Sequence, residues 1–143
     1  MINQKYRLWC ENATKDPDLI EELKAMEGNE ALISDAFYKD LEFGTAGMRG
    51  ILGVGTSKMN VHVVAKATLG FGRYLESFDN AHERGVVISH DNRRYSKEFA
   101  LDTAKVFTTI GFKVYLFSSL RPTPELSFAV RELGATAGIT SSV

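Results

Sequence analysis

Apolar residues recur at helical spacing through the first forty positions, where Ile2, Tyr6, Trp9 and Ala13 would line one face. Asp16 and Pro17 pair a capping side chain with a proline suited to the first helical turn, and Leu19, Ile20, Leu23 and Met26 follow as a stripe that Gly28 ends. Asn29 is placed to cap a third helix with Leu32, Ile33, Ala36, Phe37 and Leu41 on one face. A longer helix is predicted over 61–78, capped by Asn60, with Val61, Val64, Ala65, Thr68, Phe71, Gly72, Leu75 and Phe78 forming its buried side. Gly70 and Gly72 each cost about 1 kcal/mol relative to Ala inside a helix, which predicts close packing at both as compensation. His62 in the first turn of this helix and His82 in the polar segment that follows read as solvated.

From Gly85 the pattern changes. Val86, Val87 and Ile88 form a short, continuously apolar run, as in a strand buried on both faces. A polar stretch, HDNRRYS, leads to a helix capped by Ser96 with Phe99, Ala100, Thr103, Val106, Phe107 and Ile110 on its apolar face, ended by Gly111. FKVYLF is a second strand, and Thr123 with Pro124 starts a helix carrying Leu126, Val130 and Leu133; a third strand begins at Thr136. Strands alternating with helices long enough to cross over predict an α/β fold with parallel strands, right-handed connections and helices on the sheet faces.

At 143 residues, 44% hydrophobic and 24% charged, the chain has the length and composition of a soluble globular domain. Its 17 basic and 18 acidic residues leave a net charge of −1, which gives no electrostatic case for nucleic acid or an anionic membrane as partner. The single cysteine, Cys10, has no internal disulfide partner and reads as a small helix residue, and no Cys or His cluster has zinc-ligand spacing. The opening MINQKYRLWCEN lacks an apolar signal region and no run approaches a membrane span, so a cytoplasmic location is expected.

Candidate chemistry lies in FGTAGMRG, Phe43 to Gly50. Its glycines suit a sharp turn or a close approach, Thr45 offers a hydroxyl, and Arg49 a forked cation that matches phosphate or carboxylate oxygens. The alternative is an ordinary connection whose arginine makes a surface ion pair. The following GVGTSKMN fails as a nucleotide loop, because Lys58 comes after Thr56 and Ser57 rather than before, and it occupies the place of a third glycine. Ligands in open α/β sheets gather at the carboxyl ends of strands, which here are HDNRRYS, SSLRPT and the terminal TSSV. Arg93, Arg94 and Arg121 at these ends suit an anionic ligand, helped by the amino ends of the helices that follow. Asp91 and Arg93 either contact that ligand or form an ion pair that fixes the loop; His90 reads as structural.

In order along the chain, LEFGTAGMRG, GVGTSKMN and VHVVAKATLGFGRYL resemble the start of the α-D-phosphohexomutases, in particular the phosphoglucomutase branch with its longer helical N-terminus. HDNRRYSKEFA resembles the family's D-x-R-x-x-S loop through Asp91, Arg93 and Ser96, and RPTPELSFAVRELGATAGI resembles the helix and strand leading to its nucleophile. The resemblance implies a first domain of a four-domain enzyme, a three-layer α/β/α sandwich over 43–143 preceded by a helical extension over 1–42. It also implies reversible phosphoryl transfer between the 1- and 6-positions of a hexose phosphate, through a phosphoserine, a hexose 1,6-bisphosphate and Mg²⁺. By position Thr45 and Arg49 match the residues on the serine's phosphate, with Arg49 stabilising charge in the transition state, and Asp91 and Arg93 match a supporting loop.

The resemblance breaks at the end. The family strand continues after ATAGI through two apolar residues into TASHNP, whose serine is phosphorylated, whereas Ile139 is followed by Thr140, Ser141, Ser142 and Val143. Without a gap the nucleophile is the residue after Val143; with a two-residue deletion it is Ser142. The ungapped register is favoured, since a deletion inside a central strand would misplace every later side chain. Metal, sugar-specificity and distal phosphate loops would lie in the remaining enzyme domains, so the chain alone is expected to be inactive. A non-catalytic phosphate-binding or interaction module is the competing expectation.

Overall fold

The computed structural model describes residues 1–141, which form two compact units, Met1–Val63 and one beginning at Val64. The first contains α1 (Ile2–Asn12), α2 (Pro17–Ala25), α3 (Glu30–Phe37), a hairpin of β1 (Phe43–Gly44) and β2 (Gly47–Met48), and the opening of α4 (Val61–Leu75). Ala13, Leu19, Leu23, Ile33, Ala36, Phe37 and Val54 are its buried core, with Trp9 and Tyr6 edge-on to Phe37 at 5.5 and 6.0 Å. The Tyr6 hydroxyl donates to the Leu23 carbonyl at 2.8 Å, and burial, with Cys10 beside it, pushes its phenol up to about 12, so it remains a donor. The caps predicted for α2 and α3 form: Asp16 accepts from the Asp18 N–H and Asn29 from the Leu32 N–H. Leu32 itself is exposed, because it sits at the edge of the stripe centred on Ile33, Ala36 and Phe37. His62 is not the solvated residue expected from its place in a first turn. Its ring packs edge-on to Trp9 at 5.2 Å, with Nε2 buried and unpartnered.

The segment GVGTSKMN is a strap bound to the helices. A Cβ on Gly55, at φ +114°, would lie 2.3 Å from the Ala36 carbonyl oxygen. Ser57 Oγ donates to the carbonyls of Asp35 and Ala36 at the end of α3, Lys58 pairs with Asp35, and Glu22 accepts from the Val54 N–H at 3.0 Å. Asn60 joins strap and helix. Its amide donates to the Gly53 and Gly55 carbonyls while its oxygen accepts from the N–H groups of His62 and Val63, capping α4. Glycines, Ser57 and Lys58 are thus all occupied with the protein itself.

In the second unit, α4 is followed by α5 (Ala81–Arg84), β3 (Val86–His90), α6 (Ser96–Thr109), β4 (Val114–Leu116), α7 (Thr123–Glu132) and β5 (Ala137–Ser141). The three strands are parallel in the order β4-β3-β5, with Val86 level with Val114 and Ala137, and His90 level with Ser141. All five residues of β3 are buried, as a central strand requires. Val86 and Ile88 pack on one face with Phe71 and Leu75 of α4 and Ala100 and Phe107 of α6; Val87 and Tyr115 pack on the other with Leu126, Ala129 and Val130 of α7. This is the α/β/α layering.

Several helix details differ from the sequence reading. α4 ends at Leu75, leaving Phe78 exposed, and only one of its two glycines is packed: a Cβ on Gly72 would lie 2.4 Å from Ile110 Cδ1, whereas Gly70 faces open space. Ser96 is the first residue of α6 rather than its cap; Tyr95 takes the capping position at φ +67°. Helix α7 does begin at Thr123 with Pro124 in its first turn, as read, but Leu133 of its expected apolar face is exposed. His82 stacks on Phe112 at 4.2 Å, with Nε2 3.3 Å from Glu76, so it too is engaged rather than merely solvated.

Candidate functional site

Strand order β4-β3-β5 contains a reversal. The chain leaves β3 for β4 on one side and returns through α7 to β5 on the other, so the connections part between the carboxyl ends of β3 and β5, the usual place for a ligand crevice. Asp91 stands at that point. Its N–H donates to the Ser141 carbonyl at 3.1 Å, extending the β3–β5 ladder one bond beyond the His90–Ser141 pair. Its carboxylate Oδ1 accepts from Ser96 Oγ at 2.6 Å and from the Arg93 N–H at 3.0 Å, while Arg93 Nε lies 3.5 Å from Oδ2. Of the two readings left open for Asp91 and Arg93, the loop-fixing pair is therefore formed. Arg93 remains largely exposed, and an exposed pair contributes little stability by itself.

Around this centre, Ser96 is fully buried, and the left-handed Tyr95 carries the Arg94 guanidinium over its ring at 4.9 Å. His90 is buried with Nδ1 3.1 Å from the Asp91 carbonyl oxygen, in keeping with a structural role. Arg121 Nε lies 3.8 Å from Glu125 Oε2. Sequence reasoning missed the Ser96 to Asp91 bond by taking Ser96 as a cap; the five-residue spacing was visible, but the left-handed turn that brings the hydroxyl back was not. It also missed Ser89 on β3, whose Oγ is buried with no partner.

In the first unit, FGTAGMRG is a two-residue β-hairpin. Phe43 pairs with Met48 and Gly44 with Gly47, Thr45 and Ala46 make the turn, and Gly47 takes φ +99° directly after it. Thr45 is exposed at the turn, and Arg49 is exposed immediately beyond β2. No hydrogen bond or ion pair ties the Arg49 guanidinium to any described residue. Among the described residues, the surface ion pair offered as the alternative role for Arg49 finds no partner. Thr45 and Arg49 thus share one hairpin, Asp91, Arg93 and Ser96 share one loop, and Ser142 lies outside the described residues. Among the described residues no group of three or more His, Cys, Asp or Glu is placed to hold a metal ion, and no helix is long and apolar enough to cross a membrane.

Residues 40–142 match the family model described as phosphoglucomutase/phosphomannomutase, alpha/beta/alpha domain I. The chain is 42% identical over 120 residues to a phosphopentomutase of Homo sapiens, covering 79% of the chain and 20% of the relative. It is 36% identical over 140 residues to a probable phosphoribomutase of Schizosaccharomyces pombe (97% and 23%), and 48% identical over 99 residues to a phosphoglucomutase of Staphylococcus epidermidis (69% and 18%). It spans about a fifth of the length of these curated relatives. No solved structure matches.

Proposed function

The chain belongs to the phosphoglucomutase/phosphomannomutase family, matching its α/β/α domain I, and from that premise we propose that it is the first domain of a sugar-phosphate mutase. The reaction is reversible transfer of a phosphoryl group between the 1- and 6-positions of a hexose phosphate. A sugar hydroxyl attacks the phosphorus of a phosphoserine, the serine oxygen leaves, and the resulting hexose 1,6-bisphosphate reorients to return its other phosphoryl group to the serine. Relatives named as phosphopentomutase and phosphoribomutase bring pentose phosphates into the same substrate class.

Within this chain, Arg49 supplies the charge. It is held at the end of a glycine-shaped hairpin with no protein acceptor for its fork, and that unpaired cation is the observation that carries the proposal. Its five donors suit the equatorial oxygens of a transferring phosphoryl group, and Thr45 adds a hydroxyl donor at the same turn. Asp91 holds the last described residue of β5 through its N–H, and Arg93 in turn holds Asp91, the role the reading gives to a supporting loop. Mg²⁺ would supply charge neutralisation for the transfer. Among the described residues no group of three or more His, Cys, Asp or Glu is placed to hold it, in keeping with ligands that lie mostly outside this chain.

Arg49→Ala in the full-length mutase is expected to lower kcat by about 100- to 1,000-fold, as loss of one preorganised donor does elsewhere, with Arg49→Lys recovering only part. Unchanged turnover of glucose 1-phosphate by Arg49→Ala would remove Arg49 from the site. The binding-module reading is separated by calorimetric titration of the present chain with glucose 1-phosphate: saturable, Arg49-dependent binding combined with a full-length protein that turns nothing over would support it instead.

A further inference from the structure

We propose that Ser96 is a positioning residue for phosphoryl transfer, acting through Asp91 on the carboxyl end of β5. The inference rests on the mutase reading above and gives a definite task to Ser96, which the sequence pattern places in the D-x-R-x-x-S loop and reads as a helix cap.

Three bonds in series make the link. Ser96 Oγ, wholly buried at the first position of α6, donates to Asp91 Oδ1 at 2.6 Å, a charge-assisted bond of the short, strong kind. Asp91 Oδ1 also accepts from the Arg93 N–H at 3.0 Å, which closes the loop on itself. The Asp91 N–H donates to the Ser141 carbonyl at 3.1 Å, at the last described residue of β5. The amino end of α6 is thereby coupled to the carboxyl end of the described part of β5, beside the switch point. A helix cap is a sufficient explanation for many serines near this position, but Tyr95 holds the capping position of α6, and Ser96 lies inside the helix with its hydroxyl on Asp91. The backbone accepts a left-handed, non-glycine Tyr95 at φ +67°, a conformation that costs energy and that sets the residue after it against Asp91. Because a nucleophile must meet its phosphorus within a few tenths of an ångström of the productive distance, loosening the strand exit lowers the rate of transfer more than it weakens sugar-phosphate binding.

Two measurements test this. In the present chain, Ser96→Ala should raise the hydrogen-exchange rate of the Asp91 amide at least about tenfold while leaving the Val87 and Ile88 amides unchanged; an unaltered Asp91 amide overturns the link to β5. In the full-length mutase, Ser96→Ala should lower kcat by about 10- to 100-fold with KM within about twofold of wild type, and the same change made on an Asp91→Asn background should have little further effect. Normal kcat in Ser96→Ala, or full additivity of the two substitutions, overturns the positioning role. If Ser96→Ala fails to fold, Ser96→Cys fills nearly the same space with a weaker donor and should show the same selective fall in kcat. Wild-type enzyme that forms no phosphoserine and turns over no sugar phosphate would instead defeat the mutase reading, an outcome distinct from either failure of Ser96.

Discussion

Ser89 carries a hydroxyl into the centre of the sheet and leaves it without a partner. A buried, unsatisfied hydroxyl costs about 1–3 kcal/mol, whereas alanine fills most of the same space without it, so Ser89→Ala is expected to stabilise the chain by about 1 kcal/mol. The urea midpoint reads this directly; a lower midpoint would mean that the hydroxyl has a partner in solution. Gly55 presents the opposite case. Its φ of +114° is unfavourable for any side chain, and a Cβ would strike the Ala36 carbonyl, so Gly55→Ala should cost at least about 2 kcal/mol in the same measurement. At this scale the sequence was legible where a side chain's chemistry and its neighbours in the chain settle its role. Asp16, Asn29 and Asn60 cap as read, because a cap bonds to the backbone two or three residues on. Ser89, Ser96 and His62 were opaque, because what surrounds them comes from other elements.

Helix α4 shows the same division within one element. Its amino end is fixed locally by Asn60, but the burial of its first turn depends on Trp9, more than fifty residues earlier, and that contact leaves a nominally exposed histidine half-buried. Burial disfavours the imidazolium and Lys15 adds to it, with Asp16 opposing, so the His62 pKa lies below its ordinary value. The native state then binds less proton than the unfolded chain below about pH 6.5, and stability falls as the pH drops through that point until it reaches the lowered native value, where the loss levels off. Chemical denaturation between pH 7.5 and 5 should show this slope in wild type and a flatter one in His62→Gln; equal slopes would mean that His62 titrates normally. Strand β3, by contrast, was readable from three consecutive apolar residues, and the alternation of strands and helices after Gly85 gave the parallel sheet correctly. Helix ends were less so: α4 stops at Leu75 although apolar spacing continues to Phe78, because Ser77 and Phe78 bond three residues back, to Tyr74 and Leu75, in a tightened last turn that periodicity does not register.

For the whole molecule, the decisive quantity is how much of its relatives' length the chain supplies. The proposed reading assigns phosphate to two features, Arg49, which has no partner among the described residues, and the Asp91 loop at the sheet's switch point, while the described residues offer no donor cluster for a divalent cation. Phosphoryl transfer depends on placing a nucleophile, a phosphorus and charge-neutralising groups together, and binding one phosphate without the rest does not lower the barrier. With about a fifth of the length of its curated relatives, the chain by itself should convert no glucose 1-phosphate to glucose 6-phosphate in the presence of glucose 1,6-bisphosphate and Mg²⁺, as followed by coupled dehydrogenase assay. Adding the remaining enzyme domains as a separate polypeptide provides the control, since restored turnover that fails with Arg49→Ala would assign the deficit to missing domains rather than to a defective first one. Robust turnover by the chain alone would require a complete site within these 143 residues and would overturn the view of it as one part of a larger catalyst.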